Sequence, residues 1–147
     1  VAALAGITEY FDALHRHHFG HDKGNRHTRA KAVFELVARH ESRLANILLD
    51  YLNDSPDIRL LGQDQAAPGQ RAATMAFHAR AMPSAVIAKR LADHGIGVGA
   101  GDFYARRCVE ALGMDPNDGV VRVSMVHYNT EIEVRKLVSA LDDLLGK

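Results

Sequence analysis

Residues 119–126 read Gly-Val-Val-Arg-Val-Ser-Met-Val, and this octapeptide limits the fold more than any other stretch of the chain. The branched side chains of Val120, Val121 and Val123 favour extended backbone, because two heavy atoms on Cβ fit a pleated surface better than a helical one. Side chains alternate across a strand, so Val121, Val123 and Met125 share one face while Arg122 and Ser124 share the other. The apolar face has to be covered, and the cover follows at once. Thr130 and Glu133 have the spacing of a capping box that opens a helix. Val134, Leu137, Val138, Leu141 and Leu145 then lay an apolar stripe along it. A sheet packed on helices is the expected result.

The rest of the chain supplies the other elements. Leu4, Ile7, Phe11 and Leu14 recur at helical spacing within residues 1–19. The polar run His18–Thr28 has two glycines and no periodicity, which predicts a loop or hinge. From Arg29 to Asn53 the pattern Val33, Leu36, Val37, His40, Leu44, Ile47, Leu48, Tyr51 predicts a long amphipathic helix that stops before Pro56. Strands are expected at Ile58–Leu61 and Ala73–Ala79, and a helix from Pro83 and Ser84 to a left-handed Gly95. Ile96–Val98 reads as a short extended piece before a Gly99-Ala100-Gly101 turn, and Phe103–Leu112 as a short helix. The order α-α-β-β-α-β-α-β-α predicts an α+β, two-layer α/β domain with three or four short strands, mixed or antiparallel, covered by helices. Residues 1–28 form an N-terminal helix and hinge, and residues 29–147 the domain proper.

With 18 basic and 18 acidic residues the formal charge is zero, which argues against a nucleic-acid or anionic-membrane binder. No apolar run approaches the roughly 20 residues of a membrane helix. The single cysteine, Cys108, excludes an internal disulfide framework and fits a reducing, cytoplasmic setting. Val1 lies inside an apolar helical stretch and reads as a cut end. His15, His17, His18, His21 and His27 cluster near it, with His17 and His21 at a zinc-compatible spacing. Since only Asp22 joins them, the expectation is imidazoles on a polar helix face and no physiological metal site.

Arg122 is the residue with most to explain. A guanidinium in so apolar a strand is costly to bury unless its donors are paired, and a carboxylate is its natural bidentate partner. That carboxylate can belong to this chain or to a ligand, or the side chain can simply face water.

A resemblance weighs in. The stretch Arg122–Leu141, with Tyr128-Asn129-Thr130 followed by Glu131, Glu133, Val134, Leu137 and Val138, resembles the closing segment of class V aminotransferases and cysteine desulfurases, which depend on pyridoxal phosphate. Leu91–Gly101 and Phe34–Leu52 are similar to other parts of that family's small domain, so the likeness covers most of the chain after residue 29. It implies the C-terminal small domain of such an enzyme, in which Arg122 binds the α-carboxylate of an amino-acid substrate and Phe103 and Tyr104 form the wall beside it; Asn129 of the closing turn is a further substrate-binding candidate, and His127 either lines the active-site rim or simply finishes the strand. Tyr104 occupies the position of the desulfurase's nucleophilic cysteine, and Gly99 that of an arginine, so the implied reaction extends to transamination, racemisation or a lyase step. Cys108, one helical turn beyond Tyr104 and near Arg106 and Arg107, is weighed as a nucleophile but, beside Val109 and Leu112, reads rather as a small buried hydrophobe. The family's cofactor-binding lysine motif has no match: Lys23, Lys31, Lys89, Lys136 and Lys147 sit in polar surroundings. The resemblance thus implies a domain that is inert alone, with no catalytic residue and no cofactor of its own. Its partners are a large pyridoxal-phosphate-binding domain of the same protein and a dimer mate. The competing readings are a free-standing, non-catalytic interaction or dimerisation domain and a metal-dependent module built on the histidines.

Overall fold

The computed structural model describes residues 2–20 and 24–146. Its elements run α1 (Ala2–Phe19), α2 (Arg26–Asn53), β1 (Ile58–Leu61), β2 (Thr74–Ala79), α3 (Ser84–Asp93), β3 (Gly99–Gly101), α4 (Arg106–Ala111), β4 (Val120–Ser124) and α5 (Glu131–Leu145). The strands form one four-stranded sheet in the order β1-β2-β4-β3. All three pairings are antiparallel, so the expected α+β architecture holds and the choice between mixed and antiparallel is decided.

One face of the sheet carries the core. Met75 and Phe77 of β2 and Val121 and Val123 of β4 point into a layer made by Leu44, Leu48, Leu49 and Leu52 of α2, Ile87 and Leu91 of α3, and Val134, Leu137 and Leu141 of α5. Each large side chain removed from water here contributes about 1.5–3 kcal/mol. The predicted alternation in β4 is reproduced: Val121, Val123 and Met125 are buried while Arg122 and Ser124 are exposed. Helix α1 lies outside this core, against α2. Phe11 meets Phe34 with ring centroids 4.9 Å apart, and Asp12 pairs with Arg29 at 2.9 Å. Of its apolar stripe, Ile7 stays 54% exposed. No helix among the described residues is long and apolar enough to cross a membrane.

Three elements depart from the sequence expectation by more than a residue or two. Helix α2 begins at Arg26 and not at Arg29, because Asn25 caps it: its Oδ1 accepts from the backbone N–H of Thr28 at 2.9 Å. Residues 21–23 of the expected hinge lie outside the described residues. The third strand is Gly99–Gly101, expected as a turn, and not Ile96–Val98. Glycine makes this possible. A Cβ on Gly119 would stand 2.2 Å from the carbonyl carbon of Gly101, so the start of β4 can lie this close to the end of β3 only without a side chain. The helix expected over Phe103–Leu112 starts only at Arg106, since Phe103 (φ 51°) and Tyr104 (φ 61°) adopt left-handed backbone that no helix can include. Pro83, at the start of α3, offers no side-chain cap; Asp118, in the loop before β4, accepts from the Ser84 N–H at 2.8 Å in its place.

The capping box of α5 is present. Glu133 Oε2 accepts from the Thr130 N–H at 2.7 Å and from the Thr130 hydroxyl at 3.0 Å, and the Glu133 N–H donates to Thr130 Oγ1 at 3.3 Å. The backbone bond from Thr130, and then its hydroxyl, hold the Glu133 carboxyl below its ordinary 4.5. A carboxyl with a depressed folded-state pKa stabilises the fold above the unfolded value and loses that effect as pH falls through the folded one. Glu133→Gln should therefore lower the urea midpoint near neutral pH. The gap from the wild type should close as pH is taken down through 4.5 and below; a gap constant with pH would show that the ionised carboxylate is not the contributing group.

Candidate functional site

The sheet face opposite the core is left open by α2, α3 and α5, which all pack on the other side. Helix α4 reaches this face at one edge, where Arg59 Nη1 donates to the carbonyl of Leu112 at 2.8 Å. Away from that edge Arg122, Ser124 and Thr74 stay exposed, and the hydroxyls of Thr74 and Ser124 meet at 3.2 Å.

Register sets the surroundings of Arg122. Its strand partners are Ala76 of β2 and Gly99 of β3, a methyl group and a hydrogen, so both flanks are low. The ring of Phe103 fills one of them. It lies so close over Gly99 that a Cβ there would come within 2.8 Å of Phe103 Cζ. The guanidinium carbon of Arg122 sits 3.9 Å from the centre of this ring, a cation–π contact. No ion pair to Arg122 is present among the described residues. Stacking uses the face of a guanidinium and leaves its in-plane donors free, so the group is oriented but not satisfied. Arg122 and Phe103, both candidate site residues, are thus in contact.

Tyr104 follows with its side chain fully exposed. Asp102 shapes this corner: its Oδ1 accepts from the Tyr104 N–H at 3.1 Å and its carbonyl from the Ala105 N–H at 2.8 Å. Cys108, four residues on, is exposed and not the buried hydrophobe its apolar neighbours suggested. Val109 takes the buried position of α4, and helical geometry turns Cys108 outward. Nearby Arg106 pairs with Glu110 at 3.1 Å.

His127 and Asn129 lie past the C-terminal end of β4, in the turn that leads into α5. Asn129 closes the turn on itself, with Oδ1 accepting from the Val126 N–H at 2.9 Å and its own N–H donating to the Val126 carbonyl at 2.9 Å. Its carbonyl accepts from His40 Nε2 at 2.8 Å. Nε2 must then carry the proton, which leaves Nδ1 to accept from Arg43 at 3.3 Å. His127 Nε2 meets the Tyr10 hydroxyl at 2.5 Å, tying α1 to the same turn. Beside them is a groove of about 590 Å³ between α1 and α2, floored by Leu14, Val33, Leu36 and Val37. Tyr10 and His40 were not legible as partners of this turn: His40 looked like part of the apolar stripe of α2, and neither contact has a local sequence signal.

The N-terminal histidines separate. His15 is buried and stacks on Phe19 at 4.8 Å, where a polar helix face had been expected; among the described residues its Nδ1 has no hydrogen-bond partner. His17 and His18 meet edge to face at 4.8 Å. His21 lies outside the described residues, and no group of three ligating side chains positioned for a metal occurs among the described ones.

The sequence model of the family Aminotransferase class-V matches residues 20–137. The chain belongs to the class V aminotransferase family. The aminotransferase-like protein FGM3 of Gibberella zeae is 34% identical over 116 residues, which cover 78% of this chain and 29% of that protein. The cysteine desulfurase-like protein ustD of Aspergillus flavus is 35% identical over 117 residues, 78% of this chain and 27% of its own length. Among solved structures, the cysteine desulfurase CsdA of Escherichia coli superposes with a TM-score of 0.62 at 28% identity, covering 74% of this chain and 25% of that one. The chain thus spans less than a third of each of these three relatives. Pyridoxal phosphate, which the class V resemblance implies, is held through a lysine. Lys31, Lys89 and Lys136 are exposed on α2, α3 and α5, the layer opposite Arg122. The described residues do not make a seat for that cofactor.

The exposure of Cys108 has a direct readout. A thiol reagent such as dithionitrobenzoate should titrate one equivalent in the absence of denaturant, matching the one cysteine of the sequence. No reaction until unfolding would contradict the outward placement.

Proposed function

We propose that this chain is the C-terminal small domain of a pyridoxal-phosphate-dependent class V enzyme acting on an amino acid, and that Arg122 binds the substrate's α-carboxylate. The observation that carries the reading is an exposed, oriented guanidinium without a carboxylate partner among the described residues, on a sheet face that α2, α3 and α5 leave uncovered. A planar fork of donors matches a carboxylate in two parallel hydrogen bonds, which a lysine does not reproduce. In this reading the cofactor, when bound, supplies the electron sink for bond cleavage at the substrate's α-carbon and is held by the large domain of the same protein. The present chain's share is to bind and orient the substrate through Arg122, with Phe103 and Tyr104 as the adjoining wall. His127 and Asn129 contribute through the turn that ends β4. A homodimer and a cytoplasmic location belong to the same proposal, the latter in keeping with a lone thiol.

In the complete enzyme, Arg122→Ala should raise KM for the amino acid while the fold remains intact. Charge-assisted hydrogen bonds contribute roughly 1.5–3 kcal/mol, so kcat/KM should fall about 10- to 150-fold. Arg122→Lys should recover part of the loss, and unchanged kinetics for Arg122→Ala would sink the assignment.

The separate claim that the chain is inert alone is checked with pyridoxal phosphate followed by borohydride and peptide mapping. Scattered, substoichiometric labelling of surface lysines is expected. One stoichiometric adduct at a single lysine would mean that the chain builds a cofactor site by itself.

A further inference from the structure

The neighbourhood of Arg122 holds a second residue whose placement needs explaining. Phe103 accepts a left-handed backbone (φ 51°), a conformation that costs a bulky residue free energy, and in doing so swings its ring back over the sheet. The ring lands on Gly99, the one strand partner of Arg122 without a side chain, and a methyl group there would displace it. The guanidinium then lies over the ring, 3.9 Å from its centre. Three features that are separate in sequence therefore make one object: a glycine as floor, an aromatic ring on it, and a cation above the ring.

We infer that Phe103, seated on Gly99, is a positioning residue that fixes the plane of the Arg122 guanidinium for an incoming carboxylate. The inference rests on the carboxylate-binding reading of Arg122 and adds the mechanism of its orientation. An exposed arginine samples many rotamers, and a ligand that needs both fork donors has to freeze one of them. A ring beneath the guanidinium selects that rotamer before the ligand arrives. It takes up no donor, because the N–H bonds lie in the guanidinium plane while the ring meets its face. The low methyl of Ala76 on the other flank leaves the edge of the fork open to an approaching carboxylate. Tyr104, adjacent in the chain and fully exposed, takes no part in the stack.

The test is made on the complete enzyme, by steady-state kinetics and by equilibrium binding of an unreactive amino-acid analogue. Phe103→Leu keeps apolar bulk and removes the π face; it should raise KM and the dissociation constant about two- to fivefold, the size of an exposed cation–π contact, with kcat nearly unchanged. Phe103→Tyr keeps the face and should bind as the wild type does. Gly99→Ala should reproduce the defect by lifting the ring. The double variant Gly99→Ala, Phe103→Leu should be no worse than either single change, since both remove the same contact. A purely structural role for Phe103 would lower stability and kcat as well, and would not confine the loss to KM and the dissociation constant. If Arg122→Ala weakens binding while Phe103→Leu does not, the positioning role is overturned and the carboxylate reading survives. If Arg122→Ala itself leaves binding unchanged, both are overturned together.

Discussion

The structure depends on the period-two alternation of a single central strand. β4 lies between β2 and β3, so its inward residues Val121 and Val123 face the whole helical layer, and its outward residue Arg122 faces none of it. A slip of one residue in the pairing would carry every side chain to the opposite face. It would expose two valines, each contributing about 1.5–3 kcal/mol by burial, and push an unpaired guanidinium into the core at a cost of several kcal/mol. Both effects act in the same direction. The register that builds the core therefore also presents the arginine, and no separate device is needed to keep it outside.

Everything on the uncovered face follows from who the neighbours of that arginine are. Ala76 and Gly99 are low, Gly119 lets the start of β4 meet the end of β3, and the corner at Phe103 and Tyr104 folds back because α4 begins only at Arg106. Small residues on the strands and a large one on the loop exchange roles: the strands leave the space, and the loop fills half of it with a ring. The far end of β4 is organised by other means. There the turn at Val126–Asn129 is held by its own Val126–Asn129 bond, by one hydrogen bond from His40 and by the Tyr10–His127 contact, the last two joining it to α2 and α1.

Much of this was legible without coordinates. The capping box at Thr130 and Glu133, the stripe of α5, the cap position of Gly95 and the alternation in β4 are local patterns whose physical cause lies within a few residues, and each appears where it was expected. Elements that went astray are those whose conformation is decided elsewhere. Gly99–Gly101 looked like a turn because glycine carries no strand preference, yet pairing with Arg122, Val121 and Val120 makes it an edge strand. Phe103 and Tyr104 looked helical because nothing in their side chains announces a left-handed backbone. Cys108 looked buried from its neighbours, and the facing of a six-residue helix turned it to solvent.

By itself the sequence determined that a helix-backed sheet forms, that Arg122 stands on the face away from the core, and to which enzyme family the chain is related. Those properties rest on periodicity, capping and motif spacing, which act over one or two turns of chain. Only the tertiary structure decided that Arg122 lies over the ring of Phe103, that the ring sits on Gly99, and that Tyr10 and His40 join the turn of His127 and Asn129. These are contacts between residues 4 to 117 positions apart. They come into being when strand pairing and loop closure bring the parts together, and no local preference of the residues concerned encodes them.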